Sequence, residues 1–205
     1  MLNNLNETSK LVFPSSVQDA CSKTWVIGLS GSLYSSNNSA FKNAKKILKE
    51  TKCDAVKLEG GKKIINQIKY LIKNKIPVMG HLGLLPQTAK GKFKSKGKSV
   101  KETKELIKDA LLLQNSGVFA IVLECIKTTT AKKITQSLNI PTIGIGSSVH
   151  CDGQVLVTDD LIGLNNTTIR FVKKFVNIKK YINLGLKKFS IEVRSKKYPT
   201  KKYSY

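Results

Sequence analysis

Short, mostly apolar runs recur along this chain, each separated from the next by a stretch of helical periodicity, and that alternation restricts the fold more than any other feature. The runs are Trp25-Val26-Ile27-Gly28-Leu29, Val56-Lys57-Leu58, Pro77 to His81, Phe119 to Leu123, Thr142 to Ile145 and Gln154 to Val157. Runs this short and β-branched read as strands buried on both faces, the pattern of a parallel sheet. Between them the spacing predicts a helix starting near Ser39, with Ala40, Phe41, Ala44, Ile47 and Leu48 on one stripe. Further helices are predicted around Ile64 to Ile72, from Val100 to Asn115 and from Thr130 to Leu138. Beyond Asp159 the pattern is helical to about Val193, with a weak break near Asn183 to Gly185. Strand then helix throughout selects a parallel α/β architecture. Six strands fall short of a closed eight-stranded barrel, and only Leu11-Val12-Phe13 offers another, so on pattern alone an open doubly wound sheet competes with an incomplete barrel.

At 205 residues and 40% apolar content the chain can bury a sizeable core. Its expected organisation is a poorly defined segment at 1–24, one α/β domain at 25–195 and a basic tail at 196–205. Apolar stretches are broken by Lys, Asn or Gly well before the roughly 20 residues a membrane span needs. The first 24 residues contain Glu7 and Asp19, no arginine and no apolar core flanked by basic residues, unlike a secretory or mitochondrial leader, so a cytoplasmic location is expected. Cys21, Cys53, Cys125 and Cys151 stand far apart and read as reduced thiols, with Cys125 as a buried filler rather than a nucleophile.

The net charge of +23 raises the possibility of a nucleic-acid partner. Its make-up argues against one. Of 36 basic residues only Arg170 and Arg194 are arginines, the side chain expected wherever bidentate phosphate or base contacts matter. Heavy use of Lys, Asn and Ile is the signature of A/T-rich codons, so a drifted surface accounts for the charge.

Several strand ends carry polar groups, and in a β/α barrel chemistry is done at the carboxyl ends of the strands. Lys57 and Glu59, two apart, share one face of an extended segment. There Lys57 can neutralise a substrate carboxylate and Glu59 can bind a hard cation, although an ordinary ion pair satisfies the same spacing. His81 stands between Gly80 and Gly83, as a ligand of substrate or as a structural histidine bonded to a nearby carbonyl. Glu124 follows four apolar residues, where desolvation favours the protonated form and suits a general acid or base. The polar segment from Gln87 to Ser99 reads as an active-site loop or a surface excursion. Gly144-Ile145-Gly146-Ser147 is too short a signal for a phosphate loop, and Asp152-Gly153 reads as a turn.

Taken together, Asp54-Ala-Val-Lys-Leu-Glu-Gly-Gly61, Pro77-Val-Met-Gly-His-Leu-Gly-Leu84 with Pro86-Gln87, Phe119-Ala-Ile-Val-Leu-Glu-Cys125, Ile140-Pro-Thr-Ile-Gly-Ile-Gly146 and Asp152-Gly-Gln-Val-Leu-Val157 resemble the ketopantoate hydroxymethyltransferases. Tyr34 to Ala44 and Gly91 to Gly97 fit more weakly, and the order is kept over about residues 25 to 200. The resemblance implies a TIM barrel, (β/α)8, here N-terminally truncated to about six strands. It also implies transfer of a hydroxymethyl group from 5,10-methylenetetrahydrofolate to 3-methyl-2-oxobutanoate, giving 2-dehydropantoate for pantothenate and coenzyme A synthesis. A magnesium ion (Mg2+) would chelate the keto acid and acidify the neighbouring carbon. By motif, Glu59 would belong to the metal site, Lys57 would bind the keto acid, His81 would line the pocket and Glu124 would accept the proton.

The sequence also departs from that pattern. The family's first two strands, with a Gly-Asp-Ser motif that supplies a metal ligand, have no counterpart, and Gly28 stands where the family has the next aspartate. Ser148 replaces a glycine and Asp159 a histidine. The expected magnesium site is therefore weakened to Glu59, and the unpaired edges of six strands favour a homo-oligomer or a complementing N-terminal fragment. The competing expectations are an inactive remnant or split-enzyme fragment of the family, a different 2-oxo-acid lyase on the same barrel, and a basic nucleic-acid-binding protein.

Overall fold

In the computed structural model, which describes residues 11–12, 26–85, 95–166 and 169–205, the alternation resolves into seven strands and six α-helices. The strands are β1 (Leu11–Val12), β2 (Val26–Gly28), β3 (Ala55–Lys57), β4 (Val78–Gly83), β5 (Ala120–Glu124), β6 (Thr142–Ile145) and β7 (Gly153–Val155). The helices are α1 (Asn37–Thr51), α2 (Ile65–Lys73), α3 (Val100–Asn115), α4 (Thr128–Ser137), α5 (Thr158–Leu161) and α6 (Ile178–Arg194).

One sheet holds all seven strands in the order β1-β7-β6-β5-β4-β3-β2. From β2 to β7 every strand lies parallel to the one that follows it in the chain, and β1 adds to β7 antiparallel, with Leu11 opposite Val155. A doubly wound sheet reverses its strand order at a switch point and puts helices on both faces. Here the order never reverses. The buried apolar residues of α1 (Ala40, Ala44), α2 (Ile68, Leu71), α3 (Ala110, Leu113) and α4 (Ala131, Ile134) all enter a single cluster with Val56, Val78, Leu82, Ile121 and Leu123 from the strands. The architecture is thus a curled α/β half-barrel of six parallel strands, the wall of a TIM barrel with helices outside.

Period-two alternation then decides what occupies the other face. A second, smaller cluster of Met79, Ala120, Val122 and Ile143 is built from the strand residues that the helix-side cluster leaves out. Lys57, His81 and Glu124 belong to this alternate set, two residues along from Ala55, Met79 and Val122.

Local sequence explains the helix limits. Ser36 caps α1 by accepting from the Ser39 N–H at 3.1 Å. Ser99 caps α3 in the same way from Glu102, whose carboxylate reaches back to the Lys98 N–H at 2.9 Å. That bond holds the Glu102 carboxyl below its ordinary range. Gly83 ends β4 at φ +105°, where a Cβ would collide with the Glu124 carbonyl oxygen and lie 2.9 Å from Ile126.

The described residues divide into two compact units, 1–155 and 156–205. In the second, the helix expected from Asp159 to Val193 is instead two. The short α5 ends before Gly163, whose φ of +74° and closeness to the Val176 carbonyl turn the chain, while α6 runs unbroken through Asn183 to Gly185. The expected active-site loop falls mostly outside the described residues, at 87–94. Of the part described, Lys96 bridges to the end of β5 through Cys125 O and the Lys127 N–H, each at 2.8 Å. No helix among the described residues is long and apolar enough to cross a membrane.

Candidate active site

Three consecutive strands carry titratable side chains at or near their carboxyl ends. Lys57 closes β3 and Glu59 follows it, His81 lies within β4, and Glu124 closes β5. Parallel pairing keeps these ends level, with His81 opposite Val122 and Gly83 opposite Glu124.

The side chains form two coupled pairs. Lys57 Nζ lies 3.4 Å from Glu59 Oε1, with Glu59 buried and Lys57 about a quarter exposed. His81 Nε2 lies 3.7 Å from Glu124 Oε2 and donates to the Leu84 carbonyl at 2.6 Å, which sets the tautomer and leaves Nδ1 as the bare lone pair. His81 has no exposed surface, and its Nδ1 and Glu59 Oε2 are both buried without a hydrogen-bond partner. Burial, the nearby Lys57 charge and, in the opposite sense, the Leu84 bond bring the imidazole down to about 3, so it is uncharged at neutral pH.

Two contributors were not singled out from sequence. Tyr34, buried in the turn before α1, donates to the Glu59 carbonyl at 2.9 Å and fixes the backbone that carries the carboxylate. Burial is the main cause of the rise in its own phenol pKa. Asp152, read as a turn residue, accepts from the Thr142 N–H at 2.8 Å and hydroxyl at 3.0 Å, tying β6 to the approach to β7. A Thr and an Asp ten residues apart give no sequence signal for such a bond. Cys125 behaves as expected of a filler: burial and the Glu124 charge push its thiol up to about 11. Cys53 and Cys151 are likewise buried free thiols, and Cys21 lies outside the described residues. A surface groove between α3 and α4 around Lys98, Thr103, Lys127 and Lys133 brings together lysines, hydroxyls and apolar groups, and another along α1 sets Phe41 among four lysines and Glu50, so neither gathers an acid-base pair. The strand-end cluster is therefore the candidate site.

A sequence model of the family described as ketopantoate hydroxymethyltransferase matches residues 11–201. The chain belongs to the ketopantoate hydroxymethyltransferase family. Its relatives named 3-methyl-2-oxobutanoate hydroxymethyltransferase include one from Pelagibacter ubique, 58% identical over 88% of this chain and 70% of its own length. Another, from Rhizobium etli, is 44% identical over 85% of this chain and 65% of its own. The relative from Saccharolobus solfataricus is 47% identical over 80% and 62%. The chain thus spans roughly two thirds of the length of the curated relatives it matches. Among solved structures, 2,3-dimethylmalate lyase of the PEP mutase/isocitrate lyase superfamily aligns over 62% of this chain and 46% of its own, at 11% identity and a TM-score of 0.41.

The magnesium implied by the hydroxymethyltransferase family can be tested against the donors present. Magnesium takes six oxygens in near-ideal octahedral geometry, usually anchored by one or two carboxylates. Among the described residues no three His, Cys, Asp or Glu side chains converge in a way that could hold a metal ion. Glu59 offers one unpartnered oxygen, but its other oxygen faces an ammonium, and Gly28, beside Lys57 in the sheet register, has no side chain to offer. The donor set does not fit a resident magnesium ion.

Proposed function

We propose that this chain carries the keto-acid half of hydroxymethyl transfer, the conversion of 3-methyl-2-oxobutanoate to 2-dehydropantoate with 5,10-methylenetetrahydrofolate as one-carbon donor. The observation that carries this reading is the juxtaposition of Glu124 with an uncharged His81, in reach of the Lys57 charge, at the carboxyl ends of β3 to β5 in a member of this family.

The chemistry follows from these groups. Lys57 keeps N–H donors beyond the one directed at Glu59, and it pairs with the carboxylate of the keto acid. Glu124 accepts the proton from C3, and the enolate carbon bonds to the folate's one-carbon unit. Both bonds of that unit to nitrogen are broken, one replaced by the new C–C bond and the other by a bond to a water oxygen, and the two nitrogens take up the proton from Glu124 and one from water. Water supplies the hydroxyl oxygen and tetrahydrofolate leaves, which balances the reaction. His81 serves as a positioning residue: its single N–H is spent on Leu84, so it supplies no proton of its own and its ring stands 3.7 Å from the Glu124 carboxylate. Glu59 holds Lys57 in place. The site thus takes a small keto acid and a folate, in the cytoplasm, and a second copy or a complementing segment covering the edge of β2 completes the barrel wall.

Solvent exchange of the C3 hydrogen tests the reading without folate. The chain is expected to exchange deuterium into 3-methyl-2-oxobutanoate, and Glu124→Gln to slow exchange roughly 100-fold or more while keto-acid affinity stays the same. Exchange by Glu124→Gln at the parent rate would remove the proposed base.

A further inference from the structure

We propose that the cation of this site is the Lys57 ammonium itself, and that the site binds its anion with no resident divalent metal. This rests on the keto-acid reading above and adds which positive charge does the holding.

Three observations meet at the ends of β2 and β3. Gly28 is opposite Lys57 in the parallel register, and a Cβ on Gly28 would touch Lys57 Cε at 3.5 Å, an ordinary van der Waals distance. Its φ is not in the positive region, so the backbone does not require glycine there. A side chain at position 28 would therefore lie against the lysine stem, and glycine supplies no second acidic ligand there.

Lys57 Nζ then lies 3.4 Å from the buried Glu59 carboxylate, the acidic group that the family resemblance assigns to the metal. An ammonium already neutralises that carboxylate, and a divalent ion brought to Glu59 Oε2 would meet a like charge within a few ångströms. A hard cation held there by Glu59 would have to keep most of its ligands as water.

Of the four clustered side chains only Lys57 is positive, because His81 is fully buried near the Lys57 charge and its Nδ1 has no hydrogen-bond partner to hold a second proton. Lys57 is also the one with appreciable exposure, 25% against 10% or less for the other three. A ligand carboxylate entering the site therefore meets an ammonium with N–H groups to spare. The overall charge of +23 adds a favourable field for an anion and an unfavourable one for a dication.

Manganese, a magnesium surrogate visible by electron paramagnetic resonance, tests this on the intact chain. The free Mn2+ signal is titrated for the parent, Glu59→Gln and Gly28→Asp, with and without 3-methyl-2-oxobutanoate, and keto-acid affinity is measured by calorimetry in EDTA and in magnesium. The parent and Glu59→Gln are expected to deplete free Mn2+ equally little, and keto-acid affinity to agree within about twofold in the two buffers. Gly28→Asp is expected to bind Mn2+ roughly tenfold more tightly than the parent by setting a second carboxylate beside Glu59. Mn2+ binding by the parent that Glu59→Gln abolishes would overturn the proposal, as would a tenfold gain in keto-acid affinity with magnesium. Keto acid that binds in neither buffer would sink the keto-acid reading instead, while the metal titration, which needs no keto acid, still decides this one.

Discussion

Acid is expected to destabilise this protein through one buried side chain. His81 has no exposed surface, and burial beside Lys57 lowers its pKa to about 3 from the ordinary 6.5. Between those values the unfolded chain binds a proton on this imidazole and the native chain does not, so stability is full above the ordinary value and falls as pH drops through the window. Each unit of pH within it is worth ~1.4 kcal/mol, and pH 5 lies about 1.5 units below the unfolded value, so His81 alone removes roughly 2 kcal/mol between pH 7 and 5. Other groups titrate as well. Glu102, whose carboxyl is held low, loses its contribution at lower pH, so a difference between variants is the cleaner reading. His81→Gln keeps a donor for the Leu84 carbonyl but cannot titrate. Urea unfolding followed by circular dichroism at pH 7, 6 and 5 is expected to show the parent losing about 2 kcal/mol more than His81→Gln over that range. With only two histidines in the chain, the imidazole resonances provide a second reading, and those of His81 should not move above about pH 4. Parallel losses in the two proteins would refute the claim that His81 is held neutral by burial.

Other expectations follow from single contacts. Gly83→Ala forces a Cβ toward the Glu124 carbonyl oxygen at positive φ, and thermal unfolding should show a loss of about 3 kcal/mol with disturbed keto-acid binding; unchanged melting would mean the β4 end is built differently. Asp152→Ala strips two hydrogen bonds from Thr142 and should cost about 1–3 kcal/mol in urea unfolding, with Asp152→Asn recovering part of it. Gly185→Ala should do the reverse: the added methyl meets nothing within 4 Å inside a continuous α6, so helicity and stability should rise by about 0.5–1 kcal/mol. A loss there would restore the expected break at Asn183 to Gly185.

Sequence alone carried the fold where burial was two-sided. Val78 to His81 and Phe119 to Leu123 are apolar on both faces because helices cover one and a second cluster fills the other, so the runs stand out without reference to their neighbours. Strand order was not legible, because periodicity says nothing about which strand lies beside which. The sequential pairing from β2 to β7 is what separates a barrel wall from a doubly wound sheet. The stretch between α5 and α6 reads as helical because apolar residues recur along it, whereas positive φ at Gly163, a single backbone torsion that the sequence does not display, ends α5. At the site, Lys57, Glu59, His81 and Glu124 were visible as polar residues interrupting or ending apolar runs. The Tyr34 and Asp152 bonds were not, since each joins groups whose proximity only the tertiary fold creates.

Product formation is the most direct test of the central claim that Glu124 is the base of a keto-acid site. With 3-methyl-2-oxobutanoate and 5,10-methylenetetrahydrofolate, the chain is expected to form 2-dehydropantoate, detected by mass spectrometry. Glu124→Gln is expected to reduce the rate by about 100- to 10,000-fold with keto-acid affinity unchanged. Product made by Glu124→Gln at the parent rate, or none from a parent chain that demonstrably binds both substrates, would contradict the account.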